Sequence, residues 1–136
     1  MAHALYGYDG DCKNIHGHTY HLHITLIGIP LNNAGNPKDG MVIDFGDLKK
    51  VVKEIVLNTF DHALVLSKYS THYTLKETLS NQFDKVIFLE VQPTCENLLL
   101  HFQKLLQPYF TAPNKMVKIK LEETPTSFAE WLASDN

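Results

Sequence analysis

Between Thr19 and Ile29 the chain alternates polar and apolar side chains, Thr-Tyr-His-Leu-His-Ile-Thr-Leu-Ile-Gly-Ile, and directly before this run stands His16-Gly17-His18. Alternation with period two is a strand pattern. Tyr20, Leu22, Ile24 and Leu26 take one face, and His21, His23, Thr25 and Ile27 take the other. By parity His18 falls on the leucine side. If His16 and His18 head the strand, they share a face, because strand side chains alternate. Gly17 removes the side chain between them, so that backbone can approach closely. Five of the eight histidines lie in the first 23 residues, and His3 supplies a third imidazole upstream. Zinc takes neutral imidazoles at about 2.0–2.1 Å, and three of them leave a fourth position open, the coordination of a catalytic metal. His3, His16 and His18 are therefore the predicted ligands of a Zn2+ ion. A His-x-His pair is a weak signal by itself, since polar strand histidines are common. His3 and the neighbouring Cys12 strengthen the metal reading. His21 and His23 are expected on the other sheet face or at an interface, and His72 and His101 on the surface.

The rest of the chain reads as one domain over residues 1–136, long enough for a core. The formal net charge is -3 and no basic run exceeds Lys49-Lys50, so no nucleic-acid partner is expected. No apolar run reaches the length of a membrane span and no signal peptide is visible, so no membrane partner is expected either. Cys12 and Cys95 do not make a disulfide framework. They read as reduced thiols in a cytoplasmic protein.

Residues 31–40 form a turn region rich in Asn, Gly and Pro. Residues 41–45 read as a short extended piece leading into a helix that Asp44 or Asp47 caps, with Leu48, Val51, Val52 and Ile55 as its apolar stripe. The polar stretch 67–82 reads as a loop with room for a helical turn. Residues 86–91 read as a second strand. Thr94 caps a helix whose stripe is Cys95, Leu98, Leu99, Phe102, Leu105 and Leu106, ending before Pro108. Residues 116–121 read as a third strand, followed by Glu122-Glu123. Strands and helices mix without strict alternation. The expected class is α+β, with two helices on one face of a mostly antiparallel sheet.

Three further groups can carry chemistry. Cys12 sits among Asp9, Gly10, Asp11, Lys13 and Asn14, a polar setting unlike that of an inert core cysteine. It could close the zinc site as a fourth ligand, or act beside the metal as a thiol base or nucleophile; the spacing does not separate the two. In Asp61-His62 a carboxylate can hold the imidazole tautomer and raise its basicity, although the dipeptide is common by chance. Glu123, at a strand end before Thr124-Pro125, is either a solvated edge charge or an acceptor pair for a planar amidine-like group.

Taken together, Ala2-His3-Ala4-Leu5, Cys12-x-x-x-His16-Gly17-His18, Gly40-Met41-Val42-Ile43-Asp44-Phe45, Asp61-His62, Pro93-Thr94-Cys95-Glu96-Asn97 and Glu123-Thr124 resemble the 6-pyruvoyl-tetrahydropterin and 6-carboxytetrahydropterin synthase family over nearly the whole chain. The three residues between Cys12 and His16 resemble its bacterial queuosine-pathway branch. The resemblance implies the tunnelling fold and an oligomeric barrel, a homohexamer of two stacked trimers with sites commonly between subunits. It implies zinc on His3, His16 and His18, Cys12 as the thiol acid–base, and Asp61 with His62 completing a proton relay. Glu123 would anchor the 2-amino and N3 edge of a pterin, and Thr94 would contact its ring. The implied activity is a zinc-dependent lyase that converts 7,8-dihydroneopterin triphosphate to 6-carboxytetrahydropterin, acetaldehyde and triphosphate. The alternative is a 6-pyruvoyl synthase, or a non-catalytic zinc or pterin-binding domain. Members of the family usually carry a strand before the Ala-His motif. This sequence starts two residues before His3, so a truncated first strand is expected, with His3 close to a fraying end.

Overall fold

The computed structural model describes residues 1–135. Among these residues seven strands form two sheets. In chain order they are β1 (Ala2–His3), β2 (His16–Gly17), β3 (His21–Ile27), β4 (Leu64–Ser67), β5 (Val86–Leu89), β6 (Lys115–Thr124) and β7 (Ser127–Leu132). The four-stranded sheet has order β2-β1-β4-β5; β1 pairs antiparallel with β2 and parallel with β4, and β4 pairs parallel with β5. The three-stranded sheet is antiparallel, in order β3-β6-β7. The α+β class holds. The single, mostly antiparallel sheet expected from the sequence is replaced by one mixed and one antiparallel sheet. The reason is β4. Ala63, Val65 and Leu66 are buried, and a short strand covered on both faces reads as a plain apolar run rather than an alternation.

The longest helix, α1, runs over residues 45–60, with a π-helical turn at Lys53–Leu57. Asp44 rather than Asp47 caps it: Asp44 Oδ1 accepts from the Gly46 N–H at 2.6 Å, an arrangement worth about 1 kcal/mol. Residues 41–44 are a bend instead of an extended strand. A second helix, α2 (Lys76–Gln82), follows a 3-10 turn at Thr71–Leu75, so the predicted loop at 67–82 is mostly helical. The third helix, α3 (Cys95–Leu106), begins where predicted, with Thr94 Oγ1 accepting from the Asn97 N–H at 3.3 Å. No helix among the described residues is long and apolar enough to cross a membrane.

The expected stripes meet in one core. Leu98, Leu99, Phe102 and Leu106 of α3 pack with Val56 and Phe60 of α1 and with Met116, Ile119 and Leu121 of β6. Leu22, Ile24 and Leu26 cover its edge from β3, while His21, His23, Thr25 and Ile27 point outward. The sequence reading of β6 stops too early. The strand continues through Thr124 and turns into β7, whose Ala129 and Trp131 face inward. Cys95 is buried, its Sγ–H donating to the Leu121 carbonyl at 3.3 Å, and burial pushes the thiol up to about 11. It is an inert core thiol, and both cysteines are free.

His101 is not the surface residue the sequence implied. Its ring packs edge-on against Phe60, 5.5 Å between centroids, and burial first, then Lys104, lowers its pKa from 6.5. The folded state therefore prefers the neutral ring. Its contribution is complete above pH 6.5 and is lost as pH falls from there through the lower folded value. In urea titrations between pH 7.5 and 5, His101→Gln should show a smaller loss of stability than the parent chain. Truncating fully buried Leu98 to Ala should cost about 2–5 kcal/mol in the same assay, against less than about 0.5 for a change at exposed Lys49.

Candidate metal centre

His3 and His16 stand directly opposite one another in the antiparallel pairing of β1 with β2. Their ring centroids are 4.5 Å apart. His18 follows two residues on, at 5.5 Å from His3 and 5.0 Å from His16. The ligand atoms of the three imidazoles all lie within 4.8 Å of one another. The convergence predicted for His16 and His18 is real, but they do not head β3: His16 lies in β2 of the other sheet, His18 directly follows that strand, and His3 is brought in by cross-strand pairing. Nor does His3 fray. It is 2% exposed, and β1 lies between β2 and β4, with the Ala2 N–H donating to the Ala63 carbonyl at 2.8 Å. A Cβ at Gly17 would meet only ordinary contacts, the nearest being Met1 O at 3.5 Å, so close backbone approach does not explain that glycine.

The hydrogen bonds set the tautomers. His3 Nδ1 lies 2.6 Å from the Pro93 carbonyl, and His16 Nδ1 lies 2.8 Å from that of Asn14. A carbonyl only accepts, so both Nδ1 atoms carry the proton and both Nε2 lone pairs are free. His16 Nε2 is buried without a hydrogen-bond partner. Burial, helped by neighbouring His16 and His18, holds His3 below its ordinary pKa despite the opposing pull of Pro93 and Glu123. A buried neutral imidazole with its outer nitrogen bare, beside two others, is the donor set that Zn2+ takes. The residues present fit that ion.

Glu123 closes one side. Its Oε1 accepts from the Tyr20 hydroxyl at 2.7 Å and lies 3.5 Å from His3 Nε2 and 3.9 Å from His18 Nε2. It is no solvated edge charge: the side chain is 21% exposed. Burial first, then Glu123, raises the Tyr20 phenol well above its usual pKa, so it stays protonated and donates. Cys12 lies in a 3-10 turn, Asp11–Lys13, and is half-buried. Its carbonyl accepts from the Leu5 N–H at 2.9 Å. The same loop is pinned by Gln92, whose Oε1 accepts from the Tyr6 N–H at 3.0 Å and whose Nε2 donates to the Tyr6 carbonyl. Among the described residues the metal-binding group holds the three histidines without Cys12.

Asp61 and His62 follow the end of α1. Asp61 Oδ1 is 3.1 Å from His62 Nδ1, and the two side chains are 61% and 90% exposed. His62 has φ +61°, a left-handed conformation that swings it away from the helix. Both line a groove of about 400 Å³ that also takes in His18 and Tyr20. Among the described residues no hydrogen bond or ion pair joins them to Cys12 or to the three imidazoles. Thr94 caps α3 next to Pro93, whose carbonyl holds His3.

The sequence profile described as 6-pyruvoyl tetrahydropterin synthase matches residues 1–133. The chain belongs to that family. It is 37% identical to a protein of Haemophilus influenzae named 6-carboxy-5,6,7,8-tetrahydropterin synthase, over 96% of this chain and 91% of that one. A Rickettsia bellii protein of the same name is 36% identical over 94% and 90%. The solved structure of Caenorhabditis elegans 6-pyruvoyl tetrahydropterin synthase superposes with a TM-score of 0.65 at 26% identity, covering 97% of this chain and 87% of that chain.

Tyr20, Pro93, Asn14 and Gln92 escaped the sequence reading as parts of a site. Only Tyr20 left a signal, its parity with His18; the others act through carbonyls or an amide, which no pattern marks. Chelator-treated protein should take up one Zn2+ per chain with a rise in Tm. His16→Ala should weaken that uptake roughly tenfold or more, read by competition with a chromophoric chelator, and His21→Ala should leave it unchanged.

Proposed function

We propose that the chain is a zinc-dependent 6-carboxy-5,6,7,8-tetrahydropterin synthase acting on 7,8-dihydroneopterin triphosphate. The observation that carries this reading is the bare, buried His16 Nε2 in a three-histidine cluster bordered by the Glu123 carboxylate. The names of the relatives support the chemistry. His3, His16 and His18 hold the ion. When bound, Zn2+ supplies Lewis-acid polarisation of the substrate's side-chain hydroxyls, which eases the loss of side-chain protons.

The chain's own residues divide the remaining work. Glu123 accepts the 2-amino and N3 hydrogens of the pterin, as a carboxylate pairs with an amidine. Thr94 can spare its hydroxyl proton for the ring edge, since its oxygen serves the helix cap only as an acceptor. Cys12 Sγ takes and returns a side-chain proton. His62 is the second proton carrier; Asp61 on its Nδ1 side fixes the tautomer and leaves Nε2 for transfer. No glycine-rich dinucleotide loop is present in the sequence, in keeping with hydrogen being redistributed within the substrate.

Asp61 and His62 are too exposed in one chain to work in a dry site. In this reading a neighbouring subunit covers them, within a homohexamer of two trimers whose sheets join as a barrel. Residues 1–136 act as one domain, and the reaction belongs to queuosine (7-deazapurine) biosynthesis in the cytoplasm. The rival product, a 6-pyruvoyl pterin, draws support from the name of the nematode structure. The bacterial relatives are more similar in sequence and favour the carboxy product.

Mass spectrometry of products from zinc-loaded protein and 7,8-dihydroneopterin triphosphate decides between them. 6-Carboxytetrahydropterin with acetaldehyde is expected, and a pyruvoyl product without acetaldehyde would overturn the assignment. Cys12→Ala should lower kcat at least about a hundredfold while zinc stoichiometry stays the same. Loss of zinc in that variant would make Cys12 a ligand instead.

A further inference from the structure

Tyr20 has a part in this site that the assigned roles leave open. In the antiparallel register of β3 with β6, His21 faces Glu122 and Leu22 faces Leu121. Extending that register by one step sets Tyr20, just before β3, across from Glu123. Facing residues of adjacent strands have Cβ atoms about 4.5–5.5 Å apart, and here the pair is joined by a 2.7 Å hydrogen bond from the phenol to Oε1. The phenol has a second neighbour, His3 Nε2, at 3.5 Å. That is too long for a good O–H···N bond, and it competes only while the imidazole lone pair is unclaimed.

We propose that Tyr20 is the positioning residue for Glu123, holding the carboxylate in the one orientation from which it can receive the paired N–H edge of a pterin. A free glutamate side chain samples many rotamers, and fixing it costs rotamer entropy. Tyrosine has only two side-chain torsions, and those of Tyr20 are restrained. Its ring lies edge-on to His3 and His18, at 6.1 and 5.7 Å between centroids. The phenol uses one lone pair of Oε1. The other lone pair of Oε1 and those of Oε2 remain for two parallel N–H donors. Tyr20 thus ties the pterin anchor to the wall of the metal cluster, fixing the distance between the two ends of a bound substrate. The ligand named here rests on the reading of the chain as a pterin synthase; the link between Tyr20 and Glu123 does not.

The test compares zinc-loaded parent, Tyr20→Phe, Glu123→Gln and the double variant, with 7,8-dihydroneopterin as the fluorescent probe. Tyr20→Phe should weaken probe binding roughly tenfold, the loss typical of a hydrogen bond to a charged group. It should raise KM for the triphosphate more than it lowers kcat, with zinc stoichiometry unchanged. In the Glu123→Gln background the same change should cost less than about twofold, because a residue acting through Glu123 has nothing left to position. Full additivity would overturn the proposal. A crystal structure of zinc-loaded Tyr20→Phe should show the Glu123 carboxylate displaced; an unmoved carboxylate overturns the proposal as well. If the parent binds no pterin, the proposed function fails, while the position of the carboxylate still decides the role of Tyr20.

Discussion

The site depends on a ladder of two residues on each side. β1 and β2 pair Ala2 with Gly17 and His3 with His16, and from that register the three imidazoles follow. Alternation places His18 on the same side as His16, and antiparallel pairing puts His3 across from it. So short a ladder has little stability of its own. It persists because β1 is inserted between β2 and β4 and because His3 is anchored through Nδ1 to Pro93 at the entrance of α3. The histidine cluster is therefore tied to the core helix whose apolar face, Leu98, Leu99, Phe102 and Leu106, is at most 2% exposed.

Placing one buried and two half-buried imidazoles together has a cost unless their polar atoms are paired. Here the inner nitrogens of His3 and His16 are satisfied by backbone carbonyls, and the outer ones converge. Burial keeps His3 neutral, the state in which imidazole can donate a lone pair. Glu123 places a carboxylate at the rim of the cluster, and Tyr20 donates a hydrogen bond to it. The arrangement suits a divalent ion together with a ligand that presents a planar pair of N–H donors. Three imidazoles leave a fourth position open, the coordination of a catalytic rather than a structural zinc.

The remaining chemical groups stand on less constrained backbone. Cys12 lies in a loop held at Leu5 and Tyr6 by backbone and Gln92 contacts. Asp61 and His62 occupy the turn at the end of α1, with His62 in a left-handed conformation. Loops positioned by a rigid frame commonly carry reactive groups. For the proposed function this separation is useful: an ion and a pterin anchor would need fixed geometry, while proton carriers would have to reach toward a substrate held between them.

Local pattern in the sequence determined that helices follow residue 44 and run over 95–106, the Thr94 cap, the two faces of β3 and the identity of the three clustered histidines; the choice of Asp44 over Asp47 as the first helix's cap came from the structure. Each of the former is set by the period of side chains along one element or by a side chain reaching its own backbone. Several other features were decided by tertiary structure. The split into two sheets was one, because β4 is an apolar run without alternation. The placement of His-Gly-His on a different sheet from the strand it precedes was another, because a short break between β2 and β3 leaves the parity of their side chains intact. The link between Tyr20 and Glu123 arises across 103 residues of chain, where only strand register can bring them together. Sequence named the candidate groups; pairing across the sheets determined which of them meet.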